Sequence, residues 1–125
     1  MRILVVEDEQ QVREELAELL ELHGLDVEAF DRVSSAMLAL RQAIGPLILL
    51  TDLRLPDGSG LDIIQEIHND PVLASSVARI IVMTGHTDIT EQLARTLERQ
   101  DIALLFKPLD TKALIDMLTV SSRDD

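Results

Sequence analysis

The chain has 125 residues, no cysteine and 46% hydrophobic residues, which fits one domain able to bury a core without disulfide staples. Its only Phe, Tyr or Trp residues are Phe30 and Phe106, which argues against aromatic platforms for bases or sugars and leaves the core to Leu, Ile, Val, Ala and Met. Eleven basic against 23 acidic residues give a net charge of −12, which repels a phosphate backbone and argues against direct nucleic-acid binding.

Residues 2–6, with the run Ile3-Leu4-Val5-Val6, read as the first strand, and the chain turns acidic at Glu7-Asp8, too soon for a signal peptide. No apolar run approaches the roughly 20 residues of a membrane span, so a cytoplasmic protein without membrane contact is expected. Gln10 to His23 then has helical period, with Val12, Leu16, Leu19 and Leu20 on one face, a wet face of Glu14, Glu15, Glu18 and Glu21, and Gly24 as its stop. His23 suits the carboxyl end of that helix. Asp26 to Phe30 is a short second strand. Ser34 to Ala43 is a second helix, with Met37, Leu40 and Ile44 at helical spacing and Asp31 or Ser34 as its expected cap.

Leu47 to Thr51 is apolar at consecutive positions, as in a parallel strand covered on both faces, and ends in Asp52. Pro56, Gly58 and Gly60 mark a loop. Leu61, Ile63, Ile64 and Ile67 form a third helix that ends near Asn69, where Pro71 is expected to block continuation. Arg79 to Thr84 is the fourth strand, and Asp88 to Arg99 a fourth helix whose only strong apolar positions are Ile89, Leu93 and Leu97. Ile102 to Phe106 is the fifth strand, ending in Lys107-Pro108. A last helix runs from Thr111 to Val120, with Leu114, Ile115 and Leu118 inward; residues 121–125 read as a polar tail or the start of a linker after a domain over residues 1–120. His68 is expected on the surface. The strand and helix alternation predicts an α/β, flavodoxin-like (βα)5 three-layer sandwich around a five-stranded parallel sheet.

Ligand sites of such sheets lie beyond the carboxyl ends of the strands, where strand order reverses. With order 2-1-3-4-5 the first and third strands are neighbours, so Glu7, Asp8 and Asp52 meet. Close carboxylates repel unless a cation neutralises them, and an all-oxygen set suits Mg²⁺. Lys107 adds a fixed positive charge and Thr84 a hydroxyl. Such a set fits phosphoryl transfer to a carboxylate, with Asp52 as nucleophile, Mg²⁺ held by Glu7, Asp8 and Asp52, and Lys107 and Thr84 stabilising the phosphoryl oxygens.

The segments Leu4-Val5-Val6-Glu7-Asp8-Glu9, Asp52-Leu53-Arg54-Leu55-Pro56-Asp57-Gly58-Ser59-Gly60, Val82-Met83-Thr84-Gly85-His86 and Phe106-Lys107-Pro108-Leu109 resemble the CheY-like receiver domain of two-component response regulators. The resemblance covers residues 2 to about 120. It implies that Asp52 accepts phosphate from a sensor histidine kinase or histidine phosphotransfer protein, with the Arg54 backbone carbonyl as a further Mg²⁺ ligand. Thr84 and Lys107 would bind the phosphoryl group, and Gly85 would leave room for it. The first helix would be where kinases dock. The chain would catalyse only its own phosphorylation and dephosphorylation, and signal through the surface of its fourth helix, fifth strand and fifth helix. Its readout would be an output domain, a target protein or a phosphorylation-dependent homodimer. His86 and Arg54, each two residues beyond a site residue, are candidates for tuning dephosphorylation.

One position departs from the family, which usually carries Tyr or Phe three residues before the lysine, coupled to the threonine. Here it is Leu104, while Phe106, next to Lys107, should point to the opposite face. Leu104 keeps open a pseudo-receiver, an interaction module without a working aromatic switch. An Asp-based, Mg²⁺-dependent phosphatase would place its nucleophile and a second Asp after the first strand, where this chain has Glu7-Asp8-Glu9. A flavin-binding relative would need Gly, Ser and Thr there as a phosphate cradle.

Overall fold

A computed structural model describes the backbone of residues 1–123 and the side chains of residues 1–118. Strands β1 (Arg2–Val6), β2 (Asp26–Phe30), β3 (Leu47–Asp52), β6 (Val77–Thr84) and β7 (Ala103–Phe106) form one parallel sheet of order β2-β1-β3-β6-β7. Between β3 and β6 lie a ribbon of two-residue strands, β4 (Arg54–Leu55) and β5 (Gly58–Ser59), and two helices, α3 (Gly60–Asn69) and α4 (Pro71–Ser76). The other helices are α1 (Gln10–Leu22), α2 (Val33–Gln42), α5 (Glu91–Arg99) and α6 (Thr111–Arg123). The fold is the flavodoxin-like α/β sandwich that the alternation of runs predicts, and its sheet order is the expected 2-1-3-4-5.

Side-chain alternation along the strands divides the core. Leu4, Val6, Leu47, Leu49, Ile80 and Val82 face one side, under α2, α3, α4 and α5. Ile3, Val5, Ile48, Leu50, Ile81 and Met83 face the other, under α1 and α6. Strand β3 is buried along its whole length, which is why its sequence is apolar at consecutive positions. The order reverses between β1 and β3, and the crevice there opens at their carboxyl ends.

Several local expectations are corrected. Neither Asp31 nor Ser34 caps α2: Asp57, from the loop between β4 and β5, accepts from Val33 N (2.7 Å) and Ser34 N (3.0 Å), while Asp31 pairs with Arg32. Ile44 lies beyond the end of α2 and is exposed; Ala36 is buried instead. Pro71 does not merely stop a helix. It opens α4 in the first turn, where a missing N–H costs nothing, and Asp70 caps that helix by accepting from Val72 N at 2.9 Å. The fourth sheet strand starts at Val77, before Arg79. The following helix starts at Glu91, with Thr90 rather than Asp88 before it, because the Thr90 hydroxyl accepts from Leu93 N at 3.1 Å. Helix α6 continues through Arg123; the rest of the expected tail lies outside the described residues. No helix among the described residues is long and apolar enough to cross a membrane.

Candidate functional site

Each strand in the centre of the sheet delivers a polar group to the same edge. Ladder pairing carries β1 one residue past its end, where Glu7 N donates to Phe30 O at 2.9 Å; this sinks the Glu7 side chain to 0% exposure, with Asp8 exposed beside it. Asp52 is the last residue of β3 (7% exposed) and Thr84 the last of β6 (1% exposed). Lys107 follows β7 and is held in register by its N–H, which donates to Thr84 O at 2.8 Å. The Lys107–Pro108 bond is cis.

The geometry joins these groups. Lys107 Nζ donates to Asp52 Oδ2 at 2.7 Å and to Glu7 Oε1. Oxygens of Glu7, Asp8 and Asp52 lie within 4.8 Å of one another, a set that can close around a divalent cation. Burial, opposed by the hydrogen bond from Lys107 and reinforced by the charge of Asp52, pushes the Glu7 carboxyl up to about 7. For Lys107, burial opposes the charge, but bonding to the Asp52 and Glu7 carboxylates prevails and raises its pKa, so it is cationic at neutral pH. The donor set therefore fits Mg²⁺: a buried carboxyl resists ionising beside two others, and one lysine offsets only part of that charge.

The backbone around Asp52 is closely packed. A Cβ at Gly60 would sit 2.5 Å from Asp52 O and 3.1 Å from the Thr51 side chain, so the start of α3 can lie against the end of β3 only with glycine there. Leu53 N donates to Met83 O and Gly60 N to Leu53 O, both at 2.9 Å. Arg54 N reaches Asp52 Oδ1 at a long 3.4 Å.

Beyond Thr84 the chain turns tightly, with Asp88 N donating to Gly85 O at 3.1 Å and Thr84 Oγ1 to the same carbonyl at 3.2 Å. Of the two tuning candidates, Arg54 sends its guanidinium across the mouth to Asp88 at 3.2 Å, and His86 stacks on Phe106, ring centroids 4.1 Å apart and 4° from parallel. Phe106 is 38% exposed and lies against the His86 ring. His68 is exposed, and His23 forms the carboxyl cap of α1 with its Nδ1 3.0 Å from Leu19 O.

Two supporting residues escape a reading of strand ends. Arg13 of α1 donates through Nη1 to Glu7 O at 2.9 Å and to Asp8 O at 3.4 Å, fixing the acidic loop from behind. It is the only basic residue in α1, which is the signal that marks it. Asp88 holds Arg54; nothing in its local sequence separates it from an ordinary helix cap.

A family model described as the response regulator receiver domain matches residues 3–119. The chain is similar to the transcriptional regulatory protein FixJ of Azorhizobium caulinodans, 34% identical over 118 residues that cover 94% of this chain and 53% of the relative. Among solved structures it is similar to a response regulator receiver protein from Pseudomonas putida (31% identity, TM-score 0.80, 94% of each chain). A CheY-like receiver domain protein from Methanospirillum hungatei JF-1 shares the fold (20% identity, TM-score 0.83, 98% of this chain and 94% of that one). The chain spans about half the length of the curated relatives it matches (49%, 55% and 53% of the first three).

Proposed function

The chain belongs to the response regulator receiver domain family, whose general function is phosphorylation on an aspartate, and from that membership we propose that Asp52 is the phosphoacceptor. The observation that carries this is the convergence of Asp52 with Glu7 and Asp8 within 4.8 Å, Lys107 Nζ bonded to Asp52, at the point where sheet order reverses.

In this reading an Asp52 side-chain oxygen attacks the phosphorus of a phosphohistidine. A P–O bond forms, the P–N bond breaks, and the departing imidazole takes up a proton. Glu7, Asp8, Asp52 and the Arg54 carbonyl would hold Mg²⁺, which supplies positive charge beside the transferring oxygens. Lys107 stays on the same side as a fixed cation, and the Thr84 hydroxyl turns from Gly85 O to donate to the phosphoryl group. The phosphoryl group adds a charge of about −1.5 to −2 at pH 7, enough to bias a conformational equilibrium.

The donor would be a sensor histidine kinase or a histidine phosphotransfer protein. An apolar groove beside Lys107, lined by Val12, Leu16, Leu19, Pro108 and Leu109, supports docking against α1. The readout surface is α5, β7 and α6. Relatives roughly twice as long, including a transcriptional regulatory protein, support an output domain as the recipient, with a separate target or a homodimer as other routes. Family membership and the absence of a membrane-length helix among the described residues support a cytoplasmic site of action. The test is intact-mass analysis after incubation with acetyl phosphate: a one-phosphoryl gain that requires Mg²⁺ and disappears in Asp52→Asn is expected, and an unchanged gain in that variant overturns the assignment.

A further inference from the structure

A signal leaving the phosphoryl site has to cross from Thr84 to the surface, and Leu104 offers it no ring. Leu104 is half-buried, pairs in register with Val82 and packs into the aliphatic core under α5. It has no polar atom with which to follow the Thr84 hydroxyl.

Two residues further on, the chain carries another contact. Phe106 pairs in register with Thr84, is 38% exposed, and lies flat against His86. His86 is joined to Thr84 through Gly85 alone. The same carbonyl, Gly85 O, receives both the Thr84 hydroxyl and the Asp88 N–H, so turning that hydroxyl toward a phosphoryl oxygen removes one of the two bonds that fix the turn. The loop has one tether on each flank: Asp88 to Arg54 on the nucleophile side, His86 to Phe106 on the edge-strand side. It runs directly into α5, where Leu97 is the only buried residue, so a displaced loop meets little resistance from that helix.

We propose that the His86–Phe106 stack is the coupling contact of this receiver. Occupation of the site draws Thr84 and Gly85 inward, shifts His86 across the Phe106 ring, and so moves the loop and the start of α5. Phe106 is a positioning residue that acts through His86, at the edge of the sheet, in place of a ring at position 104. The inference rests on the reading of Asp52 as phosphoacceptor.

The test uses Mg²⁺ and beryllofluoride, a phosphoryl mimic, with amide shifts recorded for the wild type, Phe106→Leu, Phe106→Tyr and His86→Ala. The wild type is expected to respond at Thr84 and Lys107 and throughout Glu91–Arg99. Phe106→Leu and His86→Ala should keep the response at Thr84 and Lys107 while the α5 response falls by at least half. Phe106→Tyr, which keeps the stacked ring, should restore it. An α5 response in Phe106→Leu equal to the wild type overturns the proposal, as does a Phe106→Tyr variant that behaves like the leucine. A wild type with no response at Thr84 and Lys107 fails earlier, at the phosphoacceptor reading, and takes the coupling proposal with it.

Discussion

Glu7 bears the electrostatic strain of the site. Its carboxyl is fully buried, and in the folded chain it is pushed up to about 7 from an ordinary 4.5, chiefly by burial. Between those values the folded state holds a proton that the unfolded state has released. Without divalent metal, stability should therefore fall as pH rises from about 4.5 to about 7 and level off above. Thermal unfolding in a chelator across that window checks the sign, and Glu7→Gln should flatten this component. The site residues were legible in the sequence because a parallel sheet brings strand ends together: Glu7, Asp8, Asp52, Thr84 and Lys107 each follow or close an apolar run. Arg13 is marked in the sequence only as the one basic residue of α1, and its contacts, like those of Asp88, were not legible because they are set by packing rather than by spacing along the chain.

At the scale of elements, the loop after Asp52 serves two neighbours. Gly60 lets α3 lie against the end of β3, while Asp57 reaches out to cap α2, whose own Ncap residue, Arg32, makes no side-chain cap bond. The two N–H bonds hold the Asp57 carboxylate below its usual range, so this cap is present above that range and is lost as pH falls through the lowered value. Asp57→Ala should speed hydrogen exchange at Val33 and Ser34 and lower the melting temperature. Asp31→Ala, which removes no bond to the α2 backbone, should leave both unchanged. Long periodic runs declared themselves in the sequence, but this cap, the β4–β5 ribbon and α4 did not. A cap borrowed from 23 or 24 residues away leaves no local signature, two-residue strands have no period, and Asp70-Pro71 marks a helix start as well as a helix stop.

Across the whole molecule the chain carries a net charge of −12, and the fold brings three of its carboxylates together at one end of the sheet. A cation bound there neutralises local repulsion and binds the folded state selectively. At about 100 times its dissociation constant, Mg²⁺ should stabilise the chain by about 2.7 kcal/mol. Thermal melts at matched ionic strength separate this from general screening; Asp8→Asn should lose most of the gain, and an equal gain from sodium would contradict a specific site. Topology was legible at this scale because the central strand opens with four consecutive apolar residues, Leu47 to Leu50, and the outer strands are shorter. Leu104 was legible only as a departure, since nothing in the sequence shows Phe106 lying against His86.

Asp52 is proposed as the one carboxylate that takes the phosphoryl group. The most direct test is to phosphorylate the protein with acetyl phosphate and Mg²⁺, reduce the acyl phosphate with borohydride, and map the modified residue by peptide mass spectrometry. Reduction at Asp52 and nowhere else is predicted; modification at Asp8, Asp57 or any other carboxylate with Asp52 untouched would contradict it.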